Sequence, residues 1–156
     1  MAGEYPFTAF RFDVQLEVDN AQRFGLTSPL CDAAFAECDG LEMTMEPKTL
    51  REGGNNTQQL HFVGPVSYGN LSLRRGMTKN LDLWRWFATA VIGEGRGTTA
   101  RGLVIMRDAA GTPQVRFKLS GCLPIKIKAP GLNAKDGQVA IEEMQIAYRY
   151  FSIEAA

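Results

Sequence analysis

The sequence has one histidine, His61, and only three cysteines, Cys31, Cys38 and Cys122. Three cysteines cannot all pair with one another, and none stands in a C-x-x-C. A zinc site takes four Cys, His or carboxylate ligands at recognisable spacing, and no such set is present, so neither a metal nor a cofactor is expected. Thiols buried as small apolar groups are the better reading. An excess of charge is missing too: 17 Lys plus Arg face 17 Asp plus Glu. That balance excludes a generally basic nucleic-acid binder and leaves little repulsion against self-association. There is no long apolar run. The longest helix-like stretch, residues 81–92, contains Asp82 and Arg85, whereas a membrane-spanning helix needs about 20 mostly apolar residues. The opening MAGEYPFTAFRFDV has no basic segment followed by an apolar one, so no signal peptide is expected and synthesis is placed in the cytoplasm.

What is present is a globular mix of 156 residues, 45% hydrophobic and 22% charged. With no linker, internal repeat or low-complexity stretch, a single domain over residues 1–156 is expected. Alternation of period two dominates. Phe10, Phe12, Val14, Leu16 and Val18 alternate with Arg11, Asp13, Gln15 and Glu17, which predicts a strand with one buried and one wet face. Leu41, Met43 and Met45 predict a second strand, which Pro47 ends or marks as an edge. Leu60 with Phe62 and Leu71 with Leu73 predict two more. Leu103 and Ile105, the turn Asp108-Ala-Ala-Gly111, and Val115, Phe117 and Leu119 read as a hairpin. Ile125 and Ile127 follow, and a last strand carries Met144, Ile146, Tyr148 and Tyr150 on one face. Val139 and Ile141 have the other parity, so a bulge or break is expected near Glu142-Glu143. Phe10, Phe12, Phe62 and Phe117 are large enough to fill an interior.

One segment has the other period. Leu81, Trp84, Ala88 and Val91, with Leu83, Phe87 and Ala90 beside them, predict an amphipathic helix from about Asn80 to Ile92. Asn80 or Thr78 can cap it, Asp82 suits its positive end, and Gly93 can stop it. Trp84 and Trp86 are two apart, about 200° around a helix, so one should serve the core and the other is offered to a partner. About eight strands and one helix make a mainly β protein: an antiparallel β-barrel or two-sheet sandwich with one flanking α-helix. The stretch 47–59, PKTLREGGNNTQQ, is polar and long for a hairpin connection, and loops of that kind are often functional.

Catalytic constellations are weak. Glu142 and Glu143 are adjacent, and neighbours on a strand point to opposite faces; one solvated and one at a bulge is the expectation. Cys38 and His61 have no third orienting residue. Gly93-Glu-Gly-Arg-Gly97 follows a helix, whereas phosphate loops lead from a strand into one. Arg74, Arg75, Lys126 and Lys128 are too few for a nucleic-acid surface, so a charged outer face or a subunit contact is expected. No enzyme is expected.

The order of several segments carries a family resemblance. Glu37-Cys-Asp-Gly-Leu-Glu42 leads through Met45-Glu-Pro-Lys48 to Arg51-Glu-Gly-Gly-Asn55. Gly64-Pro-Val-Ser-Tyr68, Leu71-Ser-Leu-Arg-Arg-Gly76 and Leu83-Trp-Arg-Trp86 follow. The chain closes with Pro124-Ile-Lys-Ile-Lys128, Leu132-Asn-Ala-Lys135 and Val139-Ala-Ile-Glu-Glu-Met-Gln-Ile-Ala147. In this order and spacing, over nearly the whole chain, it resembles the tail-tube protein family of contractile phage tails and phage-tail-like contractile injection systems.

The resemblance implies a phage tail-tube-like fold, hexameric rings, and stacked rings forming a hollow tube that a contracting sheath drives through a target envelope. The implied partners are further copies of the chain, the sheath, the baseplate or tube-initiator proteins, and a cargo in the lumen. A ring initiating the tube at the baseplate is the alternative role within the family. A small-ligand carrier built on a hollow barrel is the alternative of another class. For assembly, the candidate residues are Arg51, Glu52, Gly53, Gly54 and Asn55 in the long loop, Arg74 and Arg75, and Trp84 and Trp86. Gly53 and Gly54 let the loop take a shape set by its partner, and Arg51 offers a planar fork of donors to a carboxylate on the next copy.

Overall fold

A computed structural model describes residues 6, 11–27, 30, 35–50, 53–54, 59–135 and 137–156. Strand β1 (Phe12–Val18) buries Val14, Leu16 and Val18 and exposes Asp13, Gln15 and Glu17, as its alternation predicts. Phe10 lies outside the described residues. A short 3-10 turn (Ala21–Phe24) follows, then β2 (Glu37–Asp39). Four three-residue strands come next: β3 (Met43–Met45), β4 (Lys48–Leu50), β5 (Leu60–Phe62) and β6 (Val66–Tyr68). After β7 (Asn70–Gly76) and the helix come β8 (Ala100–Arg107), β9 (Pro113–Lys128), β10 (Ile141–Ala147) and β11 (Tyr150–Ala155).

The body is one antiparallel sheet in the order β1-β8-β9-β10-β7-β2, with β11 also on β9. Strand β9 is 16 residues long and serves two layers. Its first half pairs with β8 and β11, and its second half with β10. Between the halves Gly121 has φ +65, and a Cβ there would lie 2.8 Å from Arg149 side-chain atoms. Only glycine fits this bend. The result is a two-sheet β sandwich in which β9 passes from one sheet to the other. Leu16, Leu71, Leu73, Leu83, Trp86, Cys122, Met144 and Ile146 are fully buried between its layers and the helix.

Helix α1 (Asp82–Phe87) continues as a π-helical turn (Ala88–Ile92), matching the predicted extent. The N-cap position is Leu81, which makes no side-chain cap; the Oδ1 of Asn80 accepts the first helical N–H, that of Asp82, at 2.9 Å, whereas the Thr78 hydroxyl oxygen accepts only the Asn80 N–H outside the helix, at 3.2 Å. Thr27 donates to the Asp82 carboxylate at 3.0 Å. The Gly93 N–H closes the far end on the Ala88 carbonyl. Leu83, Trp86 and Ala90 face inward at helical spacing. In the predicted hairpin, Asp108 Oδ1 accepts the Ala110 and Thr112 N–H groups, and Gly111 takes φ +88.

Several expectations are corrected. Strand β10 runs unbroken through Glu142 and Glu143. Glu142 takes an inward position in phase with Met144 and Ile146, while Val139 and Ile141 are exposed. The register shift against β9 falls later, between Gln145 and Ile146, and the phase changes at residues 148–150, so Tyr150 is exposed and Phe151 buried. Strand β3 has no buried face, and Phe62 lies outside the core. Phe12 and Phe117 only pack against the core's edge. Ile125 and Ile127 belong to the same strand as Val115, not to a separate one.

An inward carboxylate needs a partner, because an ion in a low-dielectric interior is costly alone. Glu142 and Arg75 are each 1% exposed and form a close ion pair between β10 and β7, where they sit opposite each other. The Trp84 indole N–H donates to Glu142 Oε2 at 2.7 Å, and Arg75 Nη2 donates to the Asn80 carbonyl at 2.8 Å. The Arg75 guanidinium also lies over the Phe35 ring, 5.9 Å from its centroid. The pair thus ties both sheet strands to the start of α1.

Two substitutions test this interior. Trp86→Ala removes the largest buried side chain and is expected to cost about 3–5 kcal/mol, read by urea denaturation. Glu142→Leu leaves Arg75 buried without its carboxylate and is expected to cost about 3–5 kcal/mol. Adding Arg75→Met to Glu142→Leu should recover much of that loss, a coupling that a double-mutant cycle measures.

Candidate functional site

Strands β3 to β6 do not join the body sheet. β3 pairs with β6 and β4 with β5, so residues 43–50 and 60–68 form a two-stranded arm. The two ladders are separated where Pro47 faces residues 63–65. There a Cβ on Gly64 would lie 1.7 Å from the Glu46 carbonyl oxygen, and Glu46 N–H donates to the Pro65 carbonyl. Opposite residues in an antiparallel pair share a face. Met43 with Tyr68 and Met45 with Val66 therefore make an apolar face on the first ladder, and Thr44 with Ser67 a polar one. On the second ladder Phe62 and the Leu50–Leu60 pair share a face with Lys48, and Thr49 with His61 form the other.

These apolar side chains are in water. Met43 is 53% exposed, Phe62 51% and Val66 52%; Met45, Leu50 and Leu60 are exposed as well. Scattered surface hydrophobes need no explanation, but these six on one short arm make it the candidate site. A two-stranded ribbon alone is also marginally stable in water.

The arm is broader than the 47–59 loop read from the sequence. Gly53 and Gly54 lie in an exposed turn, with Gly54 at φ +93, while Arg51, Glu52 and Asn55 lie outside the described residues. The remaining candidates are elsewhere. Arg74 is on β7, half exposed, 3.6 Å from Glu143 and 3.7 Å from Glu37. Glu143 also accepts a hydrogen bond from Ser72. Arg75, by contrast, is inside the chain in the pair with Glu142. Trp86 is fully buried, and half-buried Trp84 directs its N–H to Glu142. The geometry does not bring Arg75, Trp84 or Trp86 to the arm.

The arm's root was not foreseen. The chain leaves the body through residues 40–42 and returns through residues 69–70. Gly40 has φ +99 and packs so tightly that a Cβ would lie 1.8 Å from the Asn70 carbonyl oxygen. The Gly69 N–H donates to the Glu42 carbonyl at 3.2 Å, joining the two crossings. From the end of β10, the Tyr148 hydroxyl donates to the Gly40 carbonyl at 2.8 Å and accepts the Glu42 N–H at 3.2 Å. Its ring is buried against Tyr68 and Phe151, with centroids 5.8 and 5.7 Å away. Burial pushes the phenol above its usual range, which keeps the donated proton in place at neutral pH. The available signal was glycine at each crossing and a tyrosine on the inward phase of β10.

Chemistry of other kinds has little to work with. Among the described residues no three His, Cys, Asp or Glu groups gather as a metal site would require. Burial raises the Cys38 and Cys122 thiols to about 12 each, far from the range of a reactive thiolate. Cys31 lies outside the described residues. Among the described residues, no helix is long and apolar enough to cross a membrane.

Comparison with known proteins bears on the arm and the body together. The family profile described as T4-like virus tail tube protein gp19 matches residues 8–152. A search of curated protein sequences found no match. Among solved structures, a chain of the anti-feeding prophage baseplate is 26% identical with a TM-score of 0.84, covering 97% of each chain. A chain of the extended sheath–tube complex of PVC, an extracellular contractile injection system, is 19% identical with a TM-score of 0.77, covering 98% of this chain and 94% of that one. A chain of the anti-feeding prophage cap that terminates the tube is 18% identical with a TM-score of 0.78, covering 100% and 95%. The latter two speak to fold alone, while the profile spans both sheets, the helix and the arm. This chain belongs to the T4-like virus tail tube protein family.

Proposed function

We propose that six copies of this chain close into a ring, and that rings stack as the inner tube of a contractile injection particle or phage-like tail. The observation that carries this reading is the apolar arm on a tail-tube fold, with Met43, Met45, Phe62 and Val66 left in water by their own subunit. Another copy of the chain can cover them through a heterologous contact, in which one surface meets a different surface of its neighbour. Arg74 and the Gly53-Gly54 turn are contact residues in this reading, together with Arg51, Glu52 and Asn55. The work is structural rather than catalytic, with sheath and baseplate proteins as partners and a cargo space in the lumen.

A second reading, the initiating ring at the baseplate, is supported by one observation. The relative with 26% identity and a TM-score of 0.84 comes from a baseplate, and those from the PVC sheath–tube complex and the anti-feeding prophage cap are at 19% and 18%. Cryo-electron microscopy of intact particles separates the two: copies along the full length make it main tube, and copies confined to the first rings make it initiator. The carrier reading is opposed by a core filled with Trp86, Met144, Ile146 and several leucines.

Phe62→Asp tests the assembly surface. Phe62 is 51% exposed, so subunit stability should change by no more than about 0.5 kcal/mol in urea. Rings and tubes should be lost in sedimentation and negative-stain microscopy, because the defect repeats at every contact of a symmetric assembly. Tubes of normal length from Phe62→Asp would remove the arm from the interface.

A further inference from the structure

We propose that Tyr148 is a positioning residue for assembly: its hydroxyl fixes the direction in which the arm leaves the body, and hence the register in which the arm meets a second copy of this chain. This inference rests on the assembly reading above and adds to it the element that aims the contact.

The strands of the arm pair only with each other, so its direction is set at the two crossings and by the Tyr68 ring, which packs on Tyr148, Tyr150 and Phe151. Both crossings contain glycine, the residue with the widest backbone freedom. Gly40 and Gly69 supply no side chain to hold the angle. The bond from Gly69 to Glu42 joins one crossing to the other and leaves their common direction open. Tyr148 is different, because it is anchored in the body. Its buried ring rests on Phe151 of the body, with Tyr68 of the arm on its other contact, and β10, which ends at Ala147, is paired on both sides. From that fixed point one hydroxyl holds two backbone groups of the outgoing crossing, the Gly40 carbonyl at 2.8 Å and the Glu42 N–H at 3.2 Å. The Glu42 carbonyl is a third neighbour, at 3.3 Å. One donor and one acceptor are thereby used across a sequence separation of 106 to 108 residues.

Leverage makes this small contact matter. At about 3.3 Å per strand residue, the run from Glu42 to the Gly53 turn reaches at most about 35 Å. A slack of about 10° at the root then moves the tip by about 6 Å, which exceeds the spacing of about 4.7–4.9 Å between paired strands. An arm with that slack samples wrong registers against its neighbour, and each ring contact must be searched anew. Glu42 itself extends the holding point, since its side chain lies over Gly69, where an added Cβ would meet it at 2.6 Å.

The test uses the full chain with Tyr148→Phe, which keeps the buried ring and removes the hydroxyl. Hydrogen–deuterium exchange is followed on subunits diluted below the assembly threshold, and ring and tube formation is followed against concentration. Peptides covering 40–46 and 66–70 should exchange at least roughly fivefold to tenfold faster, the factor for one of the two hydrogen bonds removed, while helix and β9 peptides stay unchanged. The concentration needed for rings should rise by at least a similar factor. Replacing Tyr148 with para-aminophenylalanine, whose amino group can donate to the Gly40 carbonyl but is a poor acceptor for the Glu42 N–H, should restore both readouts in part. Wild-type root exchange, or a wild-type assembly threshold, in Tyr148→Phe would overturn the proposal and leave the assembly reading intact. Failure of the amino variant to restore any of what the phenyl variant loses would also overturn it. A wild-type chain that never forms rings would overturn the assembly reading itself, and this inference with it.

Discussion

The bend of β9 at Gly121 is the constraint on which the rest of the structure depends. A 16-residue strand this long would continue flat if every residue held ordinary strand geometry. At φ +65, with the Arg149 side chain against its bare Cα, the chain turns instead and delivers its second half to the other layer. One half then receives β8 and β11, and the other receives β10. Through β10 the second layer gains β7 and β2, and through β2 it gains the arm. The space enclosed by the bend is filled by Cys122, Met144, Ile146 and Trp86, so helix α1 is placed by the same turn.

Much of this was legible because it is local. The alternation of Val14, Leu16 and Val18, the extent of the helix and the turn after Asp108 each state their geometry within a few residues, but the helix face read from Leu81, Trp84, Ala88 and Val91 is the outer one, and Leu83, Trp86 and Ala90 are buried instead. The resemblance to tail-tube proteins was legible for another reason, since it resides in the order of motifs along the chain. What failed needed partners distant in sequence. Glu142 broke the alternation on paper, and only Arg75, 67 residues away, makes it an inward residue. The strand Met43–Met45 reads like any half-buried strand, and nothing local says that it leaves the sheet. Phe62 was assigned to the interior on size alone, although burial is a property of the surroundings. The candidate site was therefore read in part. The polar stretch 47–59 pointed to the arm, but its apolar ladders and its root did not stand out.

Polar and apolar groups are used here in reversed places. The body buries a charged pair with a tryptophan N–H and a backbone carbonyl among its partners, while the arm carries methionine, leucine and phenylalanine into water. Buried pairs add little net stability compared with well-packed apolar groups, but they tolerate few alternative packings. Exposed apolar arms cost solubility, and that cost is recovered when a neighbour covers them. Both departures fit the ring-and-tube assembly proposed above.

The pairing of β1 with β8 has a consequence for how the chain reaches its native state. Even its nearest pair, Val18 opposite Ala100, is 82 positions apart, so this ladder closes only after a loop of about eighty residues has been drawn together. Such non-local pairing is slow compared with the closing of hairpins. The β3–β6 and β4–β5 ladders are nearer in sequence, with Leu50 opposite Leu60, and so can zip up early. During the interval the newly made chain displays a formed, sticky ribbon beside an unfinished body. Transiently exposed apolar strands are the species from which aggregates grow. The tempo of the slow ladder, rather than the final stability, sets how long each new subunit is exposed to that hazard.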